Sequence, residues 1–226
     1  MSPFVYESVG ETATVVLGAA LAEVLPDGTT VAFIRVLGPV VEDLPSDCGL
    51  WMGDLTTGEV RKVTSNLGCD REYGPRWSPD GTQLTYMRTQ WAEDSRTTDT
   101  AVFVIDADGT NERQLTDWEA MGGAPDWSPG GEWIVYGTYP LSEFQTAISN
   151  LYRIHPDGTG AEQLTFNEDT TQRATQPRYT PDGESIVFTA ALPAGRELWV
   201  MPAEGGEPYV VAEGGIYTHG TWQPEG

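Results

Sequence analysis

The stretch Trp77-Ser78-Pro79-Asp80-Gly81 decides the fold, because it recurs. Leu25-Pro26-Asp27-Gly28 precedes it, and Trp127-Ser128-Pro129-Gly130-Gly131, Tyr179-Thr180-Pro181-Asp182-Gly183 and Trp222-Gln223-Pro224-Glu225-Gly226 follow. The prolines at 26, 79, 129, 181 and 224 are spaced by 53, 50, 52 and 43 residues. Self-similarity at such a period belongs to propellers and solenoids, in which one supersecondary unit is repeated. In each copy proline presets φ, while Asp and Gly suit a tight turn, so the motif connects two strands.

Outward from each turn the letters alternate with strand period between Pro, Asp and Gly punctuation, and no window sustains a helical period. In the second unit Pro75-Arg76-Trp77 precedes the turn and Gln83-Leu84-Thr85-Tyr86 follows it. Ala101 to Ile105 is a third strand, Asp106-Ala107-Asp108-Gly109 turns, and Arg113-Gln114-Leu115-Thr116 is a fourth. Units over 21–66, 74–116, 123–165 and 176–212 each read as a four-stranded antiparallel meander. The aromatics Trp77, Trp127, Tyr179 and Trp222 are large enough to fill the space between neighbouring meanders.

The combination Pro-x-Trp-Ser-Pro-Asp-Gly, an Ile-Val-Phe strand, a Leu-Tyr-Val strand, Asp-x-Asp-Gly and Arg-Gln-Leu-Thr resembles the TolB-type β-propeller repeat. The resemblance covers nearly the whole chain and implies an all-β propeller of four-stranded blades around a central channel, with the strand before each Trp-Ser-Pro-Asp-Gly turn innermost. The first unit departs most, with Leu25 in the aromatic position. Residues 3–18 align with third and fourth strands, and 216–226 with an innermost strand and its turn. Together they are expected to form a composite fifth blade, within one domain spanning 1–226. Such closure removes exposed sheet edges. The rival expectation is a slice of a longer propeller, completed by a strand from another copy.

With 34 acidic against 12 basic residues, only Lys62 among them a lysine, the chain carries −22 at neutral pH. That surface repels phosphate backbones, which argues against nucleic acid and anionic membrane as partners. No apolar run approaches a membrane span.

The meander sorts the connections by face. First-to-second and third-to-fourth connections are short turns on one side. Second-to-third connections (36–49, 88–100, 139–150) and the interblade segments share the other side, where a binding surface is expected. Its candidate contact residues are Arg71, Tyr73, Trp91, Trp118, Glu119, Tyr139, Tyr217 and His219. Aromatics, arginines and acids in that mixture suit a protein or peptide partner. Cys48 and Cys69 fall at this face of the first unit, which permits a disulfide and would indicate an oxidising compartment. The pairs Asp106/Asp108 and Asp70/Glu72 offer oxygen ligands for Ca²⁺, below the ligand count of a recognised calcium loop.

No Gly-x-Ser-x-Gly nucleophile motif or phosphate-cradling loop is present. His155 opens a turn and His219 stands without a partner nearby in sequence. The resemblance implies a non-enzymatic interaction scaffold; the acidic surface and a Cys48–Cys69 disulfide would suit an extracytoplasmic (periplasmic or secreted) setting, and closure of the composite blade a monomer, with strand exchange as the alternative. The alternatives are the propeller domain of a hydrolase or lyase, and a self-assembling surface subunit completed by strand donation.

Overall fold

The computed structural model describes residues 22–25, 28–41, 44–65, 74–91, 98–138, 148–168 and 171–215. Four sheets, each a four-stranded antiparallel meander, follow one another along the chain. The first comprises β1 (Ala22–Val24), β2 (Thr30–Val41), β3 (Leu44–Asp54) and β4 (Val60–Ser65), and the second β5 (Arg76–Trp77), β6 (Gln83–Trp91), β7 (Thr98–Asp106) and β8 (Arg113–Gln114). The third holds β9 (Gly122–Trp127), β10 (Ile134–Thr138), β11 (Leu151–Ile154) and β12 (Glu162–Gln163). The fourth holds β13 (Arg173–Tyr179), β14 (Ser185–Leu192), β15 (Gly195–Pro202) and β16 (Tyr209–Gly215). The composite blade, with residues 3–18 and 216–226, lies outside the described residues.

The recurring turn works as its letters require. Gly81, Gly131 and Gly183 take φ of +70°, +76° and +73°, the left-handed region that side chains with a Cβ avoid. The Ser78 hydroxyl donates to Asp80 at 2.6 Å and accepts from the Gln83 N–H at 2.9 Å, locking the turn to the start of the next strand. Thr180 repeats both contacts with Asp182 (2.5 Å) and the Ser185 N–H (3.0 Å). The prolines pack onward: a Cβ on Gly183 would sit 3.4 Å from Pro129, and one on Gly131 3.8 Å from Pro79.

Blade contact is apolar and periodic. Trp77, Trp127 and Tyr179, each under a tenth exposed, pack into clusters shared with the preceding blade: Trp77 with Leu50, Trp127 with Val104, Tyr179 with Leu151. Each blade also pairs two aromatics across its second and third strands: Phe33 with Trp51, Tyr86 with Phe103, Tyr136 with Tyr152 and Phe188 with Trp199. In the last three pairs ring centroids are 5.9, 5.7 and 6.2 Å apart, the distance at which aromatic pairs add to burial alone.

A guanidinium joins each pair of described neighbours. Arg61, opposite Met52 in the ladder, donates to the Ala107 carbonyl and to that of Asp108 at 3.3 Å. Arg113, opposite Val104, reaches the Pro156 carbonyl at 2.8 Å. At the third junction the same place on the outer strand is Glu162, and the arginine has crossed the ladder to Arg153, which donates to the Ala203 carbonyl at 3.3 Å. Glu162 and Glu204 hold its head at 2.7 and 3.1 Å, and its planar group lies 4.2 Å from the Trp133 ring. Ala107, Pro156 and Ala203 occupy one position of the repeated third-to-fourth turn, so the link is retained while its source moves.

The connections expected at 36–49 and 88–100 are largely strand. β2 and β3 stay paired from Thr30↔Asp54 to Val41↔Leu44, with one irregularity between Leu37 and Val40. β6 and β7 pair from Gln83↔Asp106 to Trp91↔Thr98. Val36, Val40, Val41, Thr89 and Thr100 are β-branched, and such side chains extend a ladder past the blade body.

Candidate functional site

The first strands β5, β9 and β13 lie against one another and carry a charged residue just before the turn aromatic. Asp126 sits centrally. It accepts from Arg178 Nη1 at 3.2 Å and from the Tyr179 backbone N–H at 3.0 Å, and Arg76 Nε stands 3.8 Å away. The three side chains are 14–16% exposed. Trp127 Nε1 donates to the Arg76 carbonyl at 3.2 Å, tying the same strands. The inner wall over these three blades thus carries an Arg–Asp–Arg row in which one carboxylate faces two guanidiniums.

A cavity of about 470 Å³ opens between the third and fourth blades. Phe188, Ala190 and Trp199 of the fourth blade form one wall, and Phe166 and Pro208 stand at its sides. Its origin follows from the repeat. In the second blade Arg88, two residues beyond Tyr86, lies 5.0 Å over Phe103 and pairs with Glu112 at 3.2 Å, and the Tyr86 hydroxyl also donates to Glu112. In the fourth blade the matching positions are Ala190, two residues beyond Phe188, and Pro208, one residue before Tyr209. Two long charged side chains become a methyl and a ring, and the volume they would fill is left open.

One side of this groove is rigid. Asn150, buried, accepts from the Thr165 hydroxyl at 3.0 Å and the Asn167 N–H at 2.7 Å, and the Asn167 side-chain amide donates to the Ser149 carbonyl at 2.9 Å. Ser149 in turn donates to the carbonyls of Thr138 and Ala174 at 2.7 and 2.8 Å. The residue between the two clamped neighbours is Phe166, 72% exposed.

Of the residues expected at the binding face, Trp118 and Glu119 fall in a short 3₁₀ turn, Trp118–Ala120, between β8 and β9. Trp118 packs against Phe103 at 5.6 Å and serves the core between the first two blades, and Glu119 is exposed. Arg71, Tyr73, Tyr139, Tyr217 and His219 lie outside the described residues, as do Cys69 and the Asp70/Glu72 pair. Trp91 ends β6, and Cys48 falls within β3 opposite Val36 rather than ahead of it; the side chains of both lie outside the description. Asp106 and Asp108 serve their turn: Asp106 accepts from Gln83 and Asn111, each at 2.7 Å, and Asp108 from the Thr110 N–H at 2.8 Å and hydroxyl at 2.6 Å. These bonds hold both carboxyls below the ordinary carboxylate range, chiefly through the Asn111 amide for Asp106 and the Thr110 hydroxyl for Asp108. Among the described residues no three His, Cys, Asp or Glu side chains gather as a metal site. His155 stacks on Trp133 with centroids 3.8 Å apart, and its Nδ1 lies 2.9 Å from the Glu132 carbonyl.

Residues 22–226 match the family described as the TolB beta propeller domain. The uncharacterised peptidase YuxL of Bacillus subtilis is 26% identical over 124 residues, 55% of this chain and 18% of that protein. A putative TolB from Agrobacterium tumefaciens superposes with a TM-score of 0.61 at 22% identity, over 83% of this chain and 62% of that one. An oligogalacturonate lyase in complex with manganese superposes at 0.63 and 19% identity, over 90% and 55%. The chain spans between 16% and 40% of the length of three curated relatives that it matches. No helix among the described residues is long and apolar enough to cross a membrane. Repeat, sheet order and family match agree, and the chain belongs to the TolB β-propeller domain family.

Proposed function

We propose that this chain is a non-enzymatic, extracytoplasmic binding propeller that engages a protein or peptide. The observation that carries this reading is Phe166, a large apolar side chain held 72% exposed by hydrogen-bonded neighbours on both sides, at the mouth of an aromatic-walled groove. Anchored apolar side chains in preformed pockets dominate association energies, because little side-chain freedom is lost on binding. The charged groups of the inner wall, by contrast, bond across the blade junctions through Asp126.

A second reading has its own support in the match to a peptidase of which this chain spans under a fifth. There the propeller would be one domain of a larger hydrolase and would still act by binding, presenting or screening a substrate for chemistry done elsewhere. The composite fifth blade also stands as a proposal. It rests on the likeness of residues 3–18 to third and fourth strands and of 216–226 to an innermost strand with its turn.

A photo-crosslinking phenylalanine analogue at position 166, with Leu55 as an exposed control on the first blade, tests the binding reading. Discrete protein adducts at 166 and none at 55 are expected. Equal labelling at both positions, or none at 166, contradicts it.

A further inference from the structure

We propose that the groove between the third and fourth blades is a docking site for a basic peptide segment, which inserts one aromatic side chain against Phe188 and Trp199. The inference rests on the binding reading above and adds a place and a partner chemistry to it.

The groove occupies space that another junction of the same molecule fills from within. Over Phe103 that space holds the Arg88 guanidinium, neutralised by Glu112. Over Trp199 the corresponding residues are Ala190 and Pro208, and about 470 Å³ stays open, within the size range of ligand pockets. An aromatic ring entering there would be bounded by Trp199 and Phe188, with Phe166 exposed beside it, and ring pairs attract. Phe188, Thr165 and Ala174 are ordered by core packing and hydrogen bonds before anything binds.

Charge fixes the flanking chemistry. Glu207 lines the groove and Glu168 adjoins the lining Asn167; both are exposed. Glu207 offsets Arg173 within the lining, Glu168 beside it tips the rim to negative, and the chain as a whole carries −22. Lysines or arginines beside the inserted ring would face this acidic rim, and a basic segment would be steered to it from a distance.

The test uses the full chain and two synthetic peptides, acetyl-Lys-Lys-Trp-Lys-Lys-amide and its Trp-to-Ala analogue, titrated by calorimetry and by NMR. The tryptophan peptide should bind about tenfold more tightly than the alanine analogue, one well-seated aromatic being worth that factor. It should also shift the Ala190 methyl and Trp199 indole N–H signals. The double substitution Ala190→Arg/Pro208→Glu restores the second blade's plug and should weaken binding about tenfold or more. Should that variant not fold, Phe166→Ala, at an exposed position, should weaken binding at least fivefold, roughly the loss of one rim contact. Equal affinity for the two peptides, or no saturable binding at millimolar peptide, overturns the proposal. Tryptophan-selective binding that survives both variants removes the groove and leaves the binding reading standing. Cleavage of the peptide, seen as a change in its mass, would remove the binding reading itself.

Discussion

Replacing Asp126 by alanine should destabilise the propeller by about 3 kcal/mol. Its carboxylate accepts two charge-assisted hydrogen bonds, from Arg178 and the Tyr179 N–H, and faces Arg76 at 3.8 Å. Hydrogen bonds to charged groups contribute about 1.5 kcal/mol each at the lower end, suited to side chains 14–16% exposed, so two give about 3. The more distant Arg76 pairing adds a few tenths at most. The repulsion newly left between Arg76 and Arg178 pushes the same way. For a domain of this length each kcal/mol moves the melting midpoint by about 2–4 °C, so a drop of about 6–12 °C is expected. Urea unfolding should show the midpoint falling with an unchanged slope. A cycle with Arg178→Ala should return a coupling of about 1.5 kcal/mol or more, since the two substitutions remove one shared contact. A loss under about 1 kcal/mol, or zero coupling, would refute the idea that this row joins the inner strands.

Three further outcomes follow from single contacts. Gly49→Ala should cost about 2 kcal/mol in chemical unfolding, because the added Cβ would clash with the Thr64 carbonyl oxygen, a backbone atom with little room to yield. Trp127→Phe keeps most of the ring but removes the Nε1–H bond to the Arg76 carbonyl, and should cost about 1 kcal/mol. The turn carboxyls Asp54, Asp80, Asp157 and Asp182 are held below their ordinary range, first by the hydroxyls of Thr56, Ser78, Thr159 and Thr180 respectively. A lowered folded-state value means that their contribution is complete above the unfolded value, about pH 4, and is lost as pH falls through the folded one. Thermal midpoints should therefore hold from neutrality to about pH 5 and fall below about pH 4. Asn at all four positions should flatten that fall, and an unchanged fall would show that other carboxyls govern it.

What the sequence disclosed depended on whether the signal lay within one repeat or between repeats. The Trp-Ser-Pro-Asp-Gly turn, its glycine and the aromatic before it are local, and the structure uses them as their chemistry requires at Gly81, Ser78 and Trp77. The extents of β2 and β3 were less legible, because Pro39, Pro45 and the acids around them read as loop while the β-branched Val36, Val40 and Val41 kept the ladder going. The inner Arg–Asp–Arg row was present in the letters as the residue between Pro and the aromatic. It became a site only when strand packing set Arg76, Asp126 and Arg178 side by side. The groove was further from view, for it is the difference between Arg88 and Ala190, and between Glu112 and Pro208. Neither alanine nor proline is a signal until register aligns it with the charged residue it replaces. Trp118 shows the reverse case: a tryptophan on an expected binding face is held inward by Phe103.

That this propeller works by binding is tested by native mass spectrometry of the full chain mixed with the partner that crosslinks at position 166, without irradiation. A noncovalent complex whose partner keeps its full mass over hours of incubation is expected. A partner mass that falls with time would contradict it.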